Sequence, residues 1–253
     1  ERTTSLTKII GNHDLGLLLH EEYDFRLQHA LRIERKDGTL LAFHGHQAYD
    51  FFMKYNYLSD FLVRYMADPL KIKSADLPMT SKRRFRAERL IYRESRELGV
   101  VTIAGHTHRP LFESFSKYDT PRGNIEKLLR RYTTELSDER QRTEELIGIY
   151  AAEFRELSKK ERKTKVSRSL YEREDLLVPS MFNSGCATGK DGYTAMEIAG
   201  DTISLVYWTA AGKAKPYIER EAVSSDQLDG TPWVRYVVAS DSLEHILART
   251  RLL

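Results

Sequence analysis

The stretch that decides the fold is VVTIAGHTHRP, residues 100–110. Its first five residues form a continuous apolar run, which is typical of a strand buried on both faces in a parallel sheet. The run ends at Gly105, and His106 and His108 follow with one residue between them. Functional groups gather at the carboxyl ends of strands in open α/β sheets. The stretch therefore predicts a functional loop at a sheet edge.

Two further histidine loops have the same form. GNHD, residues 11–14, follows the apolar run 6–10, and HGH, residues 44–46, follows the run 40–43. If the three strands lie side by side, five of the eight histidines meet at one edge. Imidazole with amide or carboxylate oxygen binds Zn, Fe, Mn and Ni. One histidine after a strand is usually an ordinary surface or core residue, but three such loops in this order predict a metal site.

The segments between the loops predict helices and a hairpin. KDG, residues 36–38, is a turn signal between the predicted strands 30–34 and 39–43. Helical spacing and a glycine stop signal place helices at about 15–29, 49–66 and 81–98, the last ending at Gly99.

The composition changes after residue 118. Two amphipathic faces separated by charged residues predict a helical hairpin within 123–177. Strands are expected again at 180–183, 193–198, 202–208 and 233–238, with a short helix from Ser242. These signals divide the chain into a core 1–118, a charged helical insertion 119–178, and a return to the sheet at 179–253.

Composition limits the class of protein. The 253 residues are 41% hydrophobic, enough for a substantial core. The 40 basic and 37 acidic side chains leave a net charge of +3, which does not favour a dedicated nucleic-acid binder. The single cysteine, Cys186, excludes an internal disulfide and fits a reducing, cytoplasmic location. No apolar run approaches the ~20 residues that cross a bilayer.

The order GNHD, HGH, GHTH, followed by NSGC at 183–186, resembles the calcineurin-like metallophosphoesterases. The resemblance covers residues 6–110 and 180–208 and includes the last three of the family's five motifs. It implies an α/β fold, a four-layer α/β/β/α β-sandwich flanked by helices, here with a helical hairpin inserted. It also implies two divalent metal ions, with manganese preferred over iron, zinc or nickel, and a metal-bound hydroxide that attacks a phosphomonoester or phosphodiester.

The resemblance assigns roles to particular residues. Asn12, His44 and His106 would bind the second metal, and His108 would bind the first. His13 would stabilise or protonate the leaving group, with Asp14 orienting and charging it. A general acid needs a pKa near neutrality, and a carboxylate partner raises the pKa of an imidazole. Weaker substrate-binding roles fall to His46, Arg83, Arg84 and Arg86.

The family's first two motifs are missing from the sequence. No aspartate-x-histidine or glycine-aspartate-x-x-aspartate precedes Leu6, so the first metal would retain only His108. Three explanations compete: an N-terminal portion outside the sequence, strands supplied by a second chain, or a degenerate member without catalysis. The intact remaining positions favour the first explanation.

Two rivals to a phosphatase of small phosphorylated substrates stay open. One is a non-catalytic scaffold with the same fold, and the other is a nuclease of the superfamily. A nuclease would show a basic groove and strongly salt-dependent DNA binding, which the near-neutral charge does not favour.

Overall fold

The computed structural model describes residues 5–12, 14, 17, 25–48, 81–113, 119–132, 137–164 and 178–253. The side chains of 81–83, 130–131, 137–138 and 161–164 also lie outside this description. His13 and the helix predicted at 49–66 therefore fall outside the described residues. Within the described ranges the chain is mixed α/β, with five α-helices and three open sheets.

The strands in chain order are β1 Thr7–Ile9, β2 Arg26–Gln28, β3 Ala30–Arg35, β4 Gly38–Phe43, β5 Val101–Ala104, β6 Pro110–Leu111, β7 Met181–Ser184, β8 Tyr193–Ala199, β9 Thr202–Ala210, β10 Ser224–Gln227 and β11 Trp233–Ser242. The α-helices are α1 Ser81–Glu97, α2 Asp119–Tyr132, α3 Ser137–Thr164, α4 Pro216–Glu221 and α5 Leu243–Leu252, and a 3-10 helix spans His46–Ala48. None of these described helices is long and apolar enough to cross a membrane.

A five-stranded sheet carries two of the three histidine loops. Its order is β3-β4-β5-β7-β6, with β4, β5 and β7 parallel and both edge strands antiparallel. The predicted hairpin around KDG and the buried parallel strand before GHTH are both confirmed. Val101 is fully buried, as a central strand of a covered sheet requires.

The strand before GNHD lies elsewhere. In the described residues β1 pairs with β2 alone, in a separate two-stranded parallel sheet. Among the described residues, the condition that the three strands before the histidine loops lie side by side is therefore not met. The helix expected at 15–29 is wrong over Arg26–Gln28, because parallel pairing with β1 makes these residues a strand.

The remaining strands form an antiparallel sheet of order β10-β11-β9-β8. The turn between β8 and β9 uses Gly200 at φ 59°, a conformation that glycine adopts without a Cβ clash.

One apolar cluster joins the two larger sheets. Its members include Leu40, Val101 and Phe182 of the five-stranded sheet, Ile203 and Leu205 of β9, and Leu243, Ile246 and Leu247 of α5. Helix α1 packs against β5 and β7 by polar as well as apolar contacts. The hydroxyls of Ser95 and Thr102 lie 2.9 Å apart, and Ser180 Oγ donates to Tyr92 O at 3.3 Å. The five-stranded sheet is thus covered by α1 and shares a core with the second sheet.

The chain divides into two compact units, Glu1–Ser114 with Val178–Leu253, and Phe115–Leu177. The second unit contains α2 and α3, which confirms the predicted helical hairpin. Within it, Tyr132 Oη donates to Glu144 Oε1 at 2.6 Å, joining the two helices.

Candidate functional site

Three imidazoles meet at the carboxyl ends of β4 and β5. The ring centroids of His44 and His106 are 4.7 Å apart, and those of His44 and His46 are 5.1 Å apart. His46 lies 6.2 Å from His106 by the same measure. The Nδ1 atoms of His44 and His46 are 3.1 Å apart, so one ring donates a hydrogen bond to the other. The HGH and GHTH loops therefore form a single histidine cluster.

Strand pairing explains this convergence. Phe43 of β4 lies opposite Ala104 of β5 in parallel register, so both loops leave the sheet at the same level. Gly105 N donates to His44 O at 3.1 Å, which extends the pairing past the strand ends. Gly45, at φ 102°, then turns the chain into the 3-10 helix that holds His46, which is only 6% exposed.

The GNHD loop reaches this cluster although its strand is in another sheet. A Cβ built on Gly11 would lie 2.7 Å from both Cδ2 and Nε2 of His44. The loop backbone thus rests directly on the His44 ring. Asn12 comes next, and its Oδ1 atom is buried. His13 lies outside the described residues, so its predicted role stays a prediction.

Asp14 closes the GNHD loop. Its Oδ2 atom accepts from Gly11 N at 3.1 Å, and Lys8 Nζ lies 3.0 Å from Oδ1. Partial burial raises the pKa of Asp14, but the hydrogen bonds from Lys8 and Gly11 and the charges of Lys8 and His44 outweigh it, so the pKa is lowered. The carboxylate is therefore ionised at neutral pH.

Both histidines of GHTH adopt left-handed backbone conformations, with φ 63° at His106 and 56° at His108. Such a conformation costs a non-glycine residue roughly 1–3 kcal/mol and persists only where its surroundings enforce it. Thr107, between them, is 2% exposed. Its hydroxyl donates to Glu88 Oε1 at 2.7 Å and accepts from Asn183 Nδ2 at 2.9 Å.

Glu88 is a fully buried carboxylate on α1. Its Oε2 atom lies 3.1 Å from Arg109 Nη1, beside the GHTH loop. Burial raises the pKa of Glu88, although the charges of Arg109 and Arg84 and the Thr107 hydrogen bond act to lower it. Sequence reasoning missed this residue. The sequence does indicate that Glu88 lies on the apolar face of the helix, because it precedes Ile91 by three positions and Tyr92 by four.

His108 stands apart from the other three site histidines that are described. It is exposed, and its Nδ1 atom is 3.7 Å from Cys186 Sγ. Cys186 follows the end of β7, the parallel neighbour of β5, which accounts for the approach.

The predicted arginine cluster lies on α1. Arg84 is partly buried, and its charge opposes the larger effect of burial, which raises the pKa of Glu88; Arg86 is exposed. The Arg83 side chain lies outside the described residues. A substrate-binding role for these arginines stays a prediction.

The donor types suit a divalent transition metal, because imidazole nitrogen and amide oxygen are ligands for such ions. Among the described side chains, however, no group of three or more His, Cys, Asp and Glu is arranged to hold a metal ion. The donor atoms of the described residues are therefore of the kinds that such an ion binds. Those residues do not by themselves form a complete set of ligands.

Comparisons with protein-family models, with curated proteins and with solved structures found no match to this chain.

Proposed function

We propose that this chain is a metal-dependent phosphoesterase of the calcineurin-like type, acting on a phosphomonoester or phosphodiester. One observation carries the proposal: His44, His46 and His106 cluster where two parallel strands end, and Gly11 of the GNHD loop rests on His44. Three motifs that occur within residues 11–108, in the order of the resemblance, therefore come together in space.

The proposed fold is the family's four-layer β-sandwich with a helical hairpin inserted. Helix α1 on the five-stranded sheet, and the apolar cluster between that sheet, the second sheet and α5, support this assignment. The same cluster includes Leu40 of β4 and Val101 of β5, the two strands that precede the HGH and GHTH loops.

In this proposal Asn12, His44 and His106 hold one metal ion, and His108 contributes to a second. When bound, two such ions, preferably manganese, with iron, zinc or nickel as alternatives, would supply the positive charge and the Lewis acidity that hydrolysis of a phosphoester needs. His46, hydrogen-bonded to His44, fixes the orientation of that ring. His13 assists departure of the leaving group, and Asp14 holds it charged. A small phosphorylated substrate and a cytoplasmic location are part of the proposal.

A non-catalytic binding protein of the same fold is the second candidate. It is favoured by the incomplete set of ligands among the described residues.

The test uses the full-length protein. His44→Ala and His106→Ala are each compared with His245→Ala, which removes an exposed imidazole from α5. The measurements are bound metal by mass spectrometry and hydrolysis of mono- and bis-aryl phosphates with added manganese. We expect each site variant to lose metal and more than about 100-fold of the rate, since even residues that only support a ligand contribute 10- to 100-fold.

The two candidates give different results in this assay. Wild-type hydrolysis by either site variant would contradict the phosphoesterase assignment. Wild-type protein that binds metal at neither site and hydrolyses neither ester would support the binding protein instead.

A further inference from the structure

Buried hydrogen bonds connect the GHTH loop to helix α1 and to strand β7. Glu88, Thr107 and Asn183 are 0%, 2% and 0% exposed, and they come from α1, the loop after β5, and β7. Thr107 Oγ1 donates to Glu88 and accepts from Asn183. Thr107 Oγ1 thus links the loop to both α1 and β7, which pack against β5, the strand before the loop.

The same two partners hold the loop on either side of each histidine. Asn183 Nδ2 also donates to Gly105 O at 3.1 Å, just before His106. Glu88 Oε2 pairs with Arg109 at 3.1 Å, just after His108. Residues 105, 107 and 109 are therefore all anchored, while the two left-handed residues between them, His106 and His108, carry the imidazoles.

An apolar side chain at position 88 would pack α1 against the sheet without a buried charge. Burying a carboxylate is costly unless its partners are in place. Here both carboxylate oxygens contact residues of the histidine loop and neither contacts another residue of the sheet in the interactions described. Packing of the helix against the sheet therefore does not by itself explain why position 88 is a glutamate.

We propose that Glu88, acting through Thr107 and Arg109, is the positioning residue that sets the His106 and His108 imidazoles for metal binding, an inference that rests on the proposed function.

The test compares two buried threonines. Thr107→Val removes the hydroxyl that Glu88 and Asn183 share, and Thr107→Ser keeps it. Thr102→Val is the matched control, because Thr102 is also buried but its hydroxyl, within the described part of the chain, bonds to Ser95 and Ser180 and not to the histidine loop. Glu88→Gln keeps an acceptor for Thr107 but loses the charge that pairs with Arg109.

Two measurements are made on each variant of the full chain. The first is the NMR shifts of the His106 and His108 ring protons in metal-free protein, assigned from single histidine substitutions. The second is the dissociation constant for manganese by calorimetry, with thermal unfolding followed in parallel. We expect Thr107→Val to move both histidine signals and to weaken manganese binding about 10- to 100-fold, the usual loss for an outer-shell partner.

Thr107→Ser should give histidine shifts and a manganese dissociation constant close to those of wild type. For Glu88→Gln, both quantities should lie between those of wild type and Thr107→Val. Thr102→Val should lower the unfolding temperature without moving either histidine signal. Unmoved histidine signals in Thr107→Val, or equal effects of Thr102→Val, would overturn the positioning role. Moved signals in a protein that binds no manganese even as wild type would instead overturn the proposed function, because the positioning would then serve no metal.

Discussion

Gly11 allows the GNHD loop to meet the histidine cluster because it has no side chain. A Cβ at this position would lie 2.7 Å from two atoms of the His44 ring and 3.2 Å from Asp14 Oδ2. Real Cβ atoms do not approach other atoms so closely, so either the loop or the ring would have to move. The contact between the GNHD and HGH loops therefore requires glycine at position 11, where a hydrogen atom stands in place of a Cβ.

We expect Gly11→Ala to destabilise the fold by roughly 1–3 kcal/mol, as overpacking usually does, and to displace the His44 ring. Chemical unfolding and the His44 ring-proton shifts are the measurements. Gly105→Ala is the control at the same site, because its added Cβ would make only ordinary contacts, 3.5 Å from His44 O and 3.7 Å from Ser184 Oγ. Equal stability of both variants would show that the loop does not rest on His44.

The sequence predicts the role of a glycine such as Gly11 only in general terms. Glycine beside each histidine indicates close backbone approach, but it does not identify the ring that is approached. The left-handed backbone at His106 and His108 was not predictable, since non-glycine residues rarely adopt it. It depends on Glu88 and Asn183, which are 18 and 77 residues away from His106 in the sequence.

At the scale of elements, Asp201 joins the β8–β9 turn to α5 and to β3. Its side chain accepts from Ser242 Oγ at 2.6 Å and from Glu244 N at 3.0 Å, at the first turn of α5. Arg35 of β3 lies 3.4 Å from its Oδ1 atom and donates to Gly200 O at 3.0 Å. These bonds favour the ionised carboxylate, with the Ser242 bond contributing most, and the pKa of Asp201 is lowered.

Because the pKa of Asp201 is lower in the folded chain, this carboxylate stabilises the fold above its unfolded pKa of about 3.8. That contribution is lost as the pH falls through the lower folded value. We expect Asp201→Asn to be less stable than wild type near neutral pH, with the difference vanishing in strong acid. Urea unfolding across a pH series measures this difference, and Asp229→Asn, at an exposed turn between β10 and β11, is the control. A difference that stays constant with pH would exclude the charge as its cause.

Elements with strong local signals were predictable, and those set by distant pairing were not. Helix α1 ends where Gly99, at φ 63°, permits a left-handed stop. Strand β2 was mistaken for helix because only its partner β1 makes it a strand. Strand β10 is fully exposed and polar, so it has no alternating pattern, and pairing with β11 alone defines it.

At the scale of the whole molecule, the histidine site and the helical hairpin belong to different compact units. The first unit has a core that includes Leu247, which is 2% exposed. The second has its own buried side chains on α3, among them Tyr150 and Leu157. The sequence predicted that 44–46 and 104–108 converge, because parallel neighbours end at one edge, but it did not predict that GNHD arrives from a separate sheet.

Two units with separate buried side chains should lose structure separately, since local stability follows local burial. We expect Leu157→Ala to reduce hydrogen-exchange protection of the α2 and α3 amides and to leave the amides of β4 and β5 unchanged. Leu247→Ala should do the reverse, because it opens a cavity in the apolar cluster shared by the two larger sheets, where such truncations cost about 2–5 kcal/mol. Exchange read by mass spectrometry resolves the two units. If Leu157→Ala lowered protection in β4 and β5 as much as in α3, the chain would unfold as one cooperative body.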